Sequence, residues 1–293
     1  MVGSILGRAW NLGRIRRGLR ALRPLSAAGD DDELELYASI FQSDFLHAGY
    51  FLDPSRDPET VSFAEMRDAM RACAELLVRR VAAGDTVLDV GCGRGGVLGL
   101  LRQAGAAVTG LTPSALQAAH VRKRYADVPV IECRFESLDT APLRNRFDAI
   151  ACVESFHNVP LEAGLRNIRE LARAGGKCIL LDYYRLRENT YNRSGHLLRD
   201  FQAAIGRHRF RVDEELDITE NVLPSIAFAH FLATRLGLPL AAFARRRLAR
   251  RRRVLSYLLS GALDRLQRKL HLDALDPEVF RRDKRYLLHR LSI

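Results

Sequence analysis

The 293 residues are 47% hydrophobic and carry a formal net charge of +11. This length and apolar content suit one α/β domain with an elaboration rather than two independent domains. Residues 1–29 hold +6 and residues 241–270 hold +9, so the remainder is mildly acidic at −4; basicity confined to two appendages, not interleaved with aromatics on one face, gives no expectation of a nucleic-acid partner.

Residues 1–25 place Ile5, Leu12, Ile15, Leu19 and Leu22 near one helical face among six arginines. An organelle transit peptide, a helix lying on a membrane and an unstructured start all fit this segment. It lacks the continuous apolar core of a secretory signal, and no run of 18 apolar residues capable of spanning a bilayer is expected anywhere in the chain. Asp30-Asp31-Asp32-Glu33 reads as a boundary. Tyr37–Phe51 and Phe63–Val81 follow as two helices of a cap over residues 30–84.

From Thr86 the pattern alternates strand and helix, which implies a parallel sheet covered on both faces. Strands are expected at Thr86–Val90, Ala107–Leu111, Val128–Cys133, Phe147–Val153 and Lys177–Asp182, the last entered through a turn at Gly175-Gly176. A helix through Leu197–Ile205 and a sixth strand at Phe210–Leu216 complete a core of residues 85–223. Residues 224–282 then insert a basic helical element. Ala241, Ala244, Leu248, Leu255, Leu259, Ala262, Leu266 and Leu270 recur at helical spacing, with Arg245–Arg247 and Arg250–Arg253 on its first half. Tyr286–Leu291, within residues 283–293, would close the sheet as an antiparallel seventh strand.

The five cysteines (Cys73, Cys92, Cys133, Cys152, Cys178) are odd in number, scattered, and lack zinc-site spacing. They read as reduced, packed thiols of a cytoplasm-like compartment.

Val87-Leu88-Asp89-Val90-Gly91-Cys92-Gly93-Arg94-Gly95-Gly96 is the most informative stretch. An apolar strand ends beside a carboxylate and runs into glycines that let a ligand approach the backbone. Gly91, Gly93 and Gly96 match a dinucleotide fingerprint. That fingerprint wants an acidic residue about 20 positions on, where this chain has Thr109-Gly110-Leu111-Thr112. Asp89 suits a ligand with a cationic end better than a pyrophosphate. An NAD-dependent oxidoreductase is therefore the weaker reading.

The stretch resembles the first motif of the class I S-adenosylmethionine-dependent methyltransferases. Gly110-Leu111-Thr112-Pro113-Ser114-Ala115-Leu116-Gln117 and His47-Ala48-Gly49-Tyr50-Phe51 are similar to two further elements of one branch. That branch holds geranyl diphosphate C-methyltransferases, tocopherol methyltransferases, cyclopropane fatty acid synthases and sterol methyltransferases. The resemblance implies a Rossmann-like sheet of seven strands, mostly parallel with the last antiparallel, under a helical N-terminal cap, with a helical insertion between strands six and seven. It also implies S-adenosylmethionine held by Tyr50, Asp89, Gly91, Cys92, Gly93, Thr112, Gln117 and Val153. Thr112 and Gln117 stand where most relatives place a carboxylate on the ribose. In the adenine segment Arg134 accepts no hydrogen bond, leaving Phe135 to stack and Glu136 or a backbone carbonyl to accept.

After the fourth strand, Glu154 and His157 are the candidate catalytic residues. Glu154 suits C-methylation of a small lipophilic, isoprenoid-like carbon, the first expectation. His157, with a pKa suited to proton removal near neutrality, suits O- or N-methylation. Tyr50, Phe51, Tyr183, Tyr184 and Tyr191 are candidates for an aromatic wall. Arg245–Arg253 fits an anionic membrane surface, an acidic carrier protein, a diphosphate or plain solvent. A cytoplasmic enzyme, peripheral at a membrane, is the expected setting; a membrane-associated binding protein without turnover is the reading from another class.

Overall fold

The computed structural model describes residues 29–188, 194–251 and 275–293. The N-terminal arginines, Tyr191, Arg252, Arg253 and the expected helical positions from Leu255 to Leu270 lie outside the described residues. The chain forms two compact units, residues 1–42 and 43–293.

In the first unit, helix α1 (Gly29–Phe41) begins at the acidic run. Asp31, Asp32 and Glu33 of the acidic run lie within this helix. The helix expected to continue to Phe51 stops at Phe41, and Gln42 takes a left-handed φ of 48°.

The second unit opens with an irregular strap, residues 43–51, held by its own backbone. Four consecutive amides donate to four separate acceptors: Ala48 to Glu154 Oε1 at 2.8 Å, Gly49 to Ser225 Oγ at 2.9 Å, Tyr50 to the Ala69 carbonyl and Phe51 to that of Asn221. Amides committed outward cannot also close helical turns, so residues 48–51 do not continue as helix. Gly49 is needed because a Cβ there would stand 2.7 Å from that of Ala69.

Helix α2 (Phe63–Val78) starts with a complete capping box between Ser62 and Glu65. The sheet then comprises β1 (Thr86–Val90), β2 (Ala107–Thr112), β3 (Val130–Glu132), β4 (Phe147–Val153), β5 (Ala172–Arg185), β6 (Arg211–Asp217) and β7 (Lys284–Ser292). Helices α3 (Gly96–Gln103), α4 (Ala115–Arg124), α5 (Leu161–Leu171) and α6 (Leu198–Arg207) lie between these strands in sequence. The sheet order is β3-β2-β1-β4-β5-β7-β6. The first five strands run parallel, and β7 pairs antiparallel with both β5 and β6. The expected closing strand is thus antiparallel but sits inside the sheet, with β6 at the edge. Gly175, at φ 74°, lies in a bulge that interrupts the β4–β5 register rather than in a turn before the strand.

One core packs α2, α3 and the insertion's first helix against one sheet face; the other packs α5 and α6 against the opposite face. All five cysteines are free thiols, four of them buried.

The insertion begins with α7 (Thr219–Leu232), passes through a five-residue π turn at Ala233–Gly237 and continues as α8 (Leu238–Arg251); α9 (Pro277–Asp283) leads into β7. Residues Thr219–Arg247 form a continuous 29-residue helix, long and apolar enough by length and composition to cross a membrane. This corrects the expectation that no such segment exists. An unbroken apolar run is absent, but alanines and isolated polar residues still leave one 18-residue stretch a mean hydropathy of 1.5.

Candidate active site

The carboxyl ends of β1, β4 and β5 are neighbours, and each brings a carboxylate to the same rim: Asp89, Glu154 and Asp182. Ligands of such sheets bind beyond these ends.

Asp89 is 2% exposed, and its Oδ2 has no hydrogen-bond partner. Burial pushes its pKa up to about 7. The turn after it is left-handed at both Gly91 (φ 74°) and Gly93 (φ 53°). A Cβ on Gly91 would collide with Ser155, whose hydroxyl donates to the Val90 carbonyl at 2.6 Å. The Gly91 and Cys92 amides both donate to the Leu111 carbonyl. On the far side, Asp44 accepts from Arg94, His120 and Arg124 at 3.2, 3.1 and 2.9 Å, bringing the strap onto the loop. Tyr50, half-buried in that strap, packs against the first core.

Thr112 and Gln117 come together but bond to each other: the Thr112 hydroxyl donates to Gln117 Oε1 at 2.8 Å and accepts from the Ser114 amide. Phe135 lies deeper than the rim. Its ring is 3% exposed and belongs to the core of the opposite sheet face. Glu136 is half-buried, with Arg134 3.9 Å away. Val153 is buried at the end of β4.

Glu154, one residue beyond β4, has a left-handed φ of 43°, which is uncommon for a residue with a side chain and marks a constrained position. Its Oε1 accepts from the Ala48 amide and the Tyr286 hydroxyl, each at 2.8 Å. Glu154 is therefore a clasp linking strap, β4 and β7.

His157 sits in the short turn Phe156–Asn158. Its Nδ1 donates to Asp182 Oδ1 at 2.8 Å, and its backbone amide donates to Asp182 Oδ2 at 3.0 Å. The Tyr183 amide adds a third donor to that carboxylate. With Nδ1 protonated, Nε2 holds the lone pair and accepts from the Asn158 amide nitrogen at 3.0 Å. Burial lowers the His157 pKa, but the charge and hydrogen bond of Asp182, with help from Glu154, outweigh it and leave His157 above the usual histidine range. The Tyr183 ring lies beside the imidazole, centroids 4.6 Å apart.

Of the expected aromatic wall, Tyr183 joins the site. Tyr184 is 1% exposed and points into the opposite core beside Phe201. Asp182 and Tyr286 are the functional candidates that the sequence reading missed. Asp182 carried a usable signal, the same carboxylate at the end of an apolar strand that singles out Asp89.

Residues 88–180 match a family model described as a methyltransferase domain. That stretch spans the sheet from β1 into β5 and includes the glycine turn. An O-methyltransferase of Pyrenophora dematioidea is 32% identical over 158 residues, covering 52% of this chain and 58% of the relative. An O-methyltransferase of Aspergillus sclerotiorum is 28% identical over 205 residues, covering 63% of this chain and 75% of the relative. The match thus spans little more than half the length of the first relative. Geranyl diphosphate C-methyltransferase from Streptomyces coelicolor has the same fold, with a TM-score of 0.61 at 20% identity over 84% of this chain and 87% of that one. The fold and the family resemblance carried by the motifs both hold.

Replacing Glu154 separates its two readings. Glu154→Gln keeps an oxygen for both donors and should bind S-adenosylhomocysteine and unfold like the native chain. Glu154→Ala leaves the Tyr286 hydroxyl without its acceptor and should cost about 1–3 kcal/mol in denaturant unfolding.

Proposed function

We propose that this methyltransferase domain makes the chain an enzyme that moves a methyl group from S-adenosylmethionine to a hydroxyl of a small acceptor with an apolar body, His157 taking the proton. The carrying observation is the His157–Asp182 pair: a buried carboxylate fixes one imidazole nitrogen, and the other's lone pair meets only the exposed Asn158 amide, which a substrate hydroxyl would displace. Two relatives named as O-methyltransferases support the same reading. Carbon methylation through Glu154 is less favoured, because Glu154 is held as a clasp through Oε1 by the Ala48 amide and the Tyr286 hydroxyl and neither of these relatives is named as a carbon methyltransferase.

The buried residues fit the donor. Asp89, with one oxygen unpartnered, suits an ammonium; Gly91, Cys92 and Gly93 shape the turn beside it. When bound, the donor supplies an electrophilic methyl on a cationic sulfur. Asp89 anchors its amino-acid end, and the strap excludes water from above. His157 Nε2 releases Asn158, accepts the hydroxyl proton, and the imidazolium so formed is stabilised by Asp182.

We also propose that the long helix rests on an anionic membrane surface. Leu236, Leu240 and Phe243 are exposed, and Phe243 shares a cleft of about 250 Å³ with Arg246, Arg247 and Arg250. Apolar contact followed by guanidinium groups matches a bilayer's interior and its anionic headgroups.

Asp89 must be ionised to hold an ammonium. Calorimetric affinity for S-adenosylhomocysteine should therefore fall by roughly tenfold for each pH unit below about 7 and lose this dependence in Asp89→Asn. His157 must be neutral to accept a proton. Methyl transfer, followed with labelled donor over a panel of phenols, should rise with pH through a pKa above the ordinary histidine value. Asp182→Asn should shift that limb to lower pH, and His157→Ala should reduce kcat about 10²–10⁴-fold with donor affinity kept. Loss of turnover in Glu154→Gln but not in His157→Ala would restore the carbon-methylating reading. Arg246, Arg247 and Arg250 changed together to Glu should abolish co-sedimentation with phosphatidylglycerol vesicles; unchanged sedimentation removes the membrane contact.

A further inference from the structure

Lys284 is the first residue of β7 and only 4% exposed. No ion pair or hydrogen bond engages its ammonium among the described residues. It lies instead over aromatic rings, 4.1 Å from the centroid of Tyr183 and 5.6 Å from that of Phe280. A ring face offsets only part of the cost of taking an ammonium out of water. The nearby carboxylates make hydrogen bonds to other groups: Asp182 to His157 and Tyr183, and Glu154 Oε1 to Ala48 and Tyr286. Across the β5–β7 ladder Lys284 pairs with Arg185, a second cation whose Nε is held by the Gly195 carbonyl.

The position of this ammonium decides what could satisfy it. Three strand spacings separate β7 from β1 in the order β1-β4-β5-β7, about 14 Å. The amino-acid end of a donor at Asp89 is therefore out of reach. His157 is close: its ring neighbours Tyr183, and Tyr183 in turn carries Lys284. The base and the ammonium are no farther apart than those two ring contacts laid end to end.

We propose that Lys284 is the anchor for a carboxylate on the acceptor, so that the enzyme methylates the hydroxyl of a hydroxyaromatic acid. This rests on the acceptor site proposed above. The carboxylate pairs with Lys284, the ring lies along Tyr183, and the hydroxyl meets His157 Nε2. Burial lowers the Lys284 pKa to about 8; an acceptor carboxylate would reverse that shift, holding the lysine charged.

The test compares hydroxybenzoates (ortho, meta and para) with the matching neutral hydroxybenzamides, titrated into protein saturated with S-adenosylhomocysteine. At neutral pH at least one acid should bind about tenfold or more tightly than its amide. Lys284→Met should erase that preference, and Lys284→Arg should restore most of it. Affinity for S-adenosylhomocysteine and the unfolding midpoint serve as controls for the fold of each variant. Equal affinity for acid and amide in the native chain, no binding of any acid, or a preference that survives in Lys284→Met overturns the anchor. Failure of S-adenosylhomocysteine itself to bind overturns the methyltransferase reading instead.

Discussion

Three buried or half-buried carboxylates meet at the carboxyl ends of three adjacent strands, and the site depends on how each is satisfied. Charges of one sign in a low-dielectric rim are costly unless donors or counter-charges reach them. Asp182 has three protein donors and stays an acceptor for His157. Glu154 has two, drawn from segments 106 and 132 residues away, so the strap and the last strand are tied to the same atom. Asp89 has an unpartnered oxygen, and its raised pKa expresses that deficit. The difference in donor supply separates a binding carboxylate, a clasp and an orienting one.

The sheet brings this about through register. Val153 of β4 pairs with Leu181 of β5, so the next position in each strand is Glu154 and Asp182. Continued extension would set both side chains by the ordinary alternation of a strand. The left-handed φ at Glu154 breaks it, turning the glutamate toward Ala48 and Tyr286 and leading the chain into the turn that carries His157. Strain at one residue thus serves two side chains.

Much of this was legible in the sequence. Thr86–Val90 and Phe147–Val153 are strands with the boundaries their apolar runs imply, because buried parallel strands read as continuous hydrophobic segments. Asp89 stood out as a charge at the end of such a run. His47–Phe51 stood out as a motif but not as an irregular strap, since its helical-looking residues are overruled by amide acceptors in Ser225, Ala69, Asn221 and Glu154. Tyr286 was legible only as a strand residue, and Phe135 as an aromatic; which sheet face each serves is a fact of packing. The long helix was obscured for a different reason: scattered polar residues hide an apolar average.

Affinity for the donor must come from few places. Where a carboxylate would grip ribose hydroxyls, the Thr112 hydroxyl is already bonded to Gln117 and to the Ser114 amide, holding the turn into α4. Neutral hydrogen bonds contribute about 0.5–1.5 kcal/mol each, and charge-assisted ones about 1.5–3. On the proposed reading the donor therefore leans on Asp89, and a buried, under-partnered carboxylate is a strong place to lean because no water shell has to be removed from it on binding. The strap adds what the ribose contact lacks. Held by four backbone amides and by Asp44 against Arg94, His120 and Arg124, it packs over the glycine turn, with Leu46 beside Gly93 and Phe45 beside Gly96.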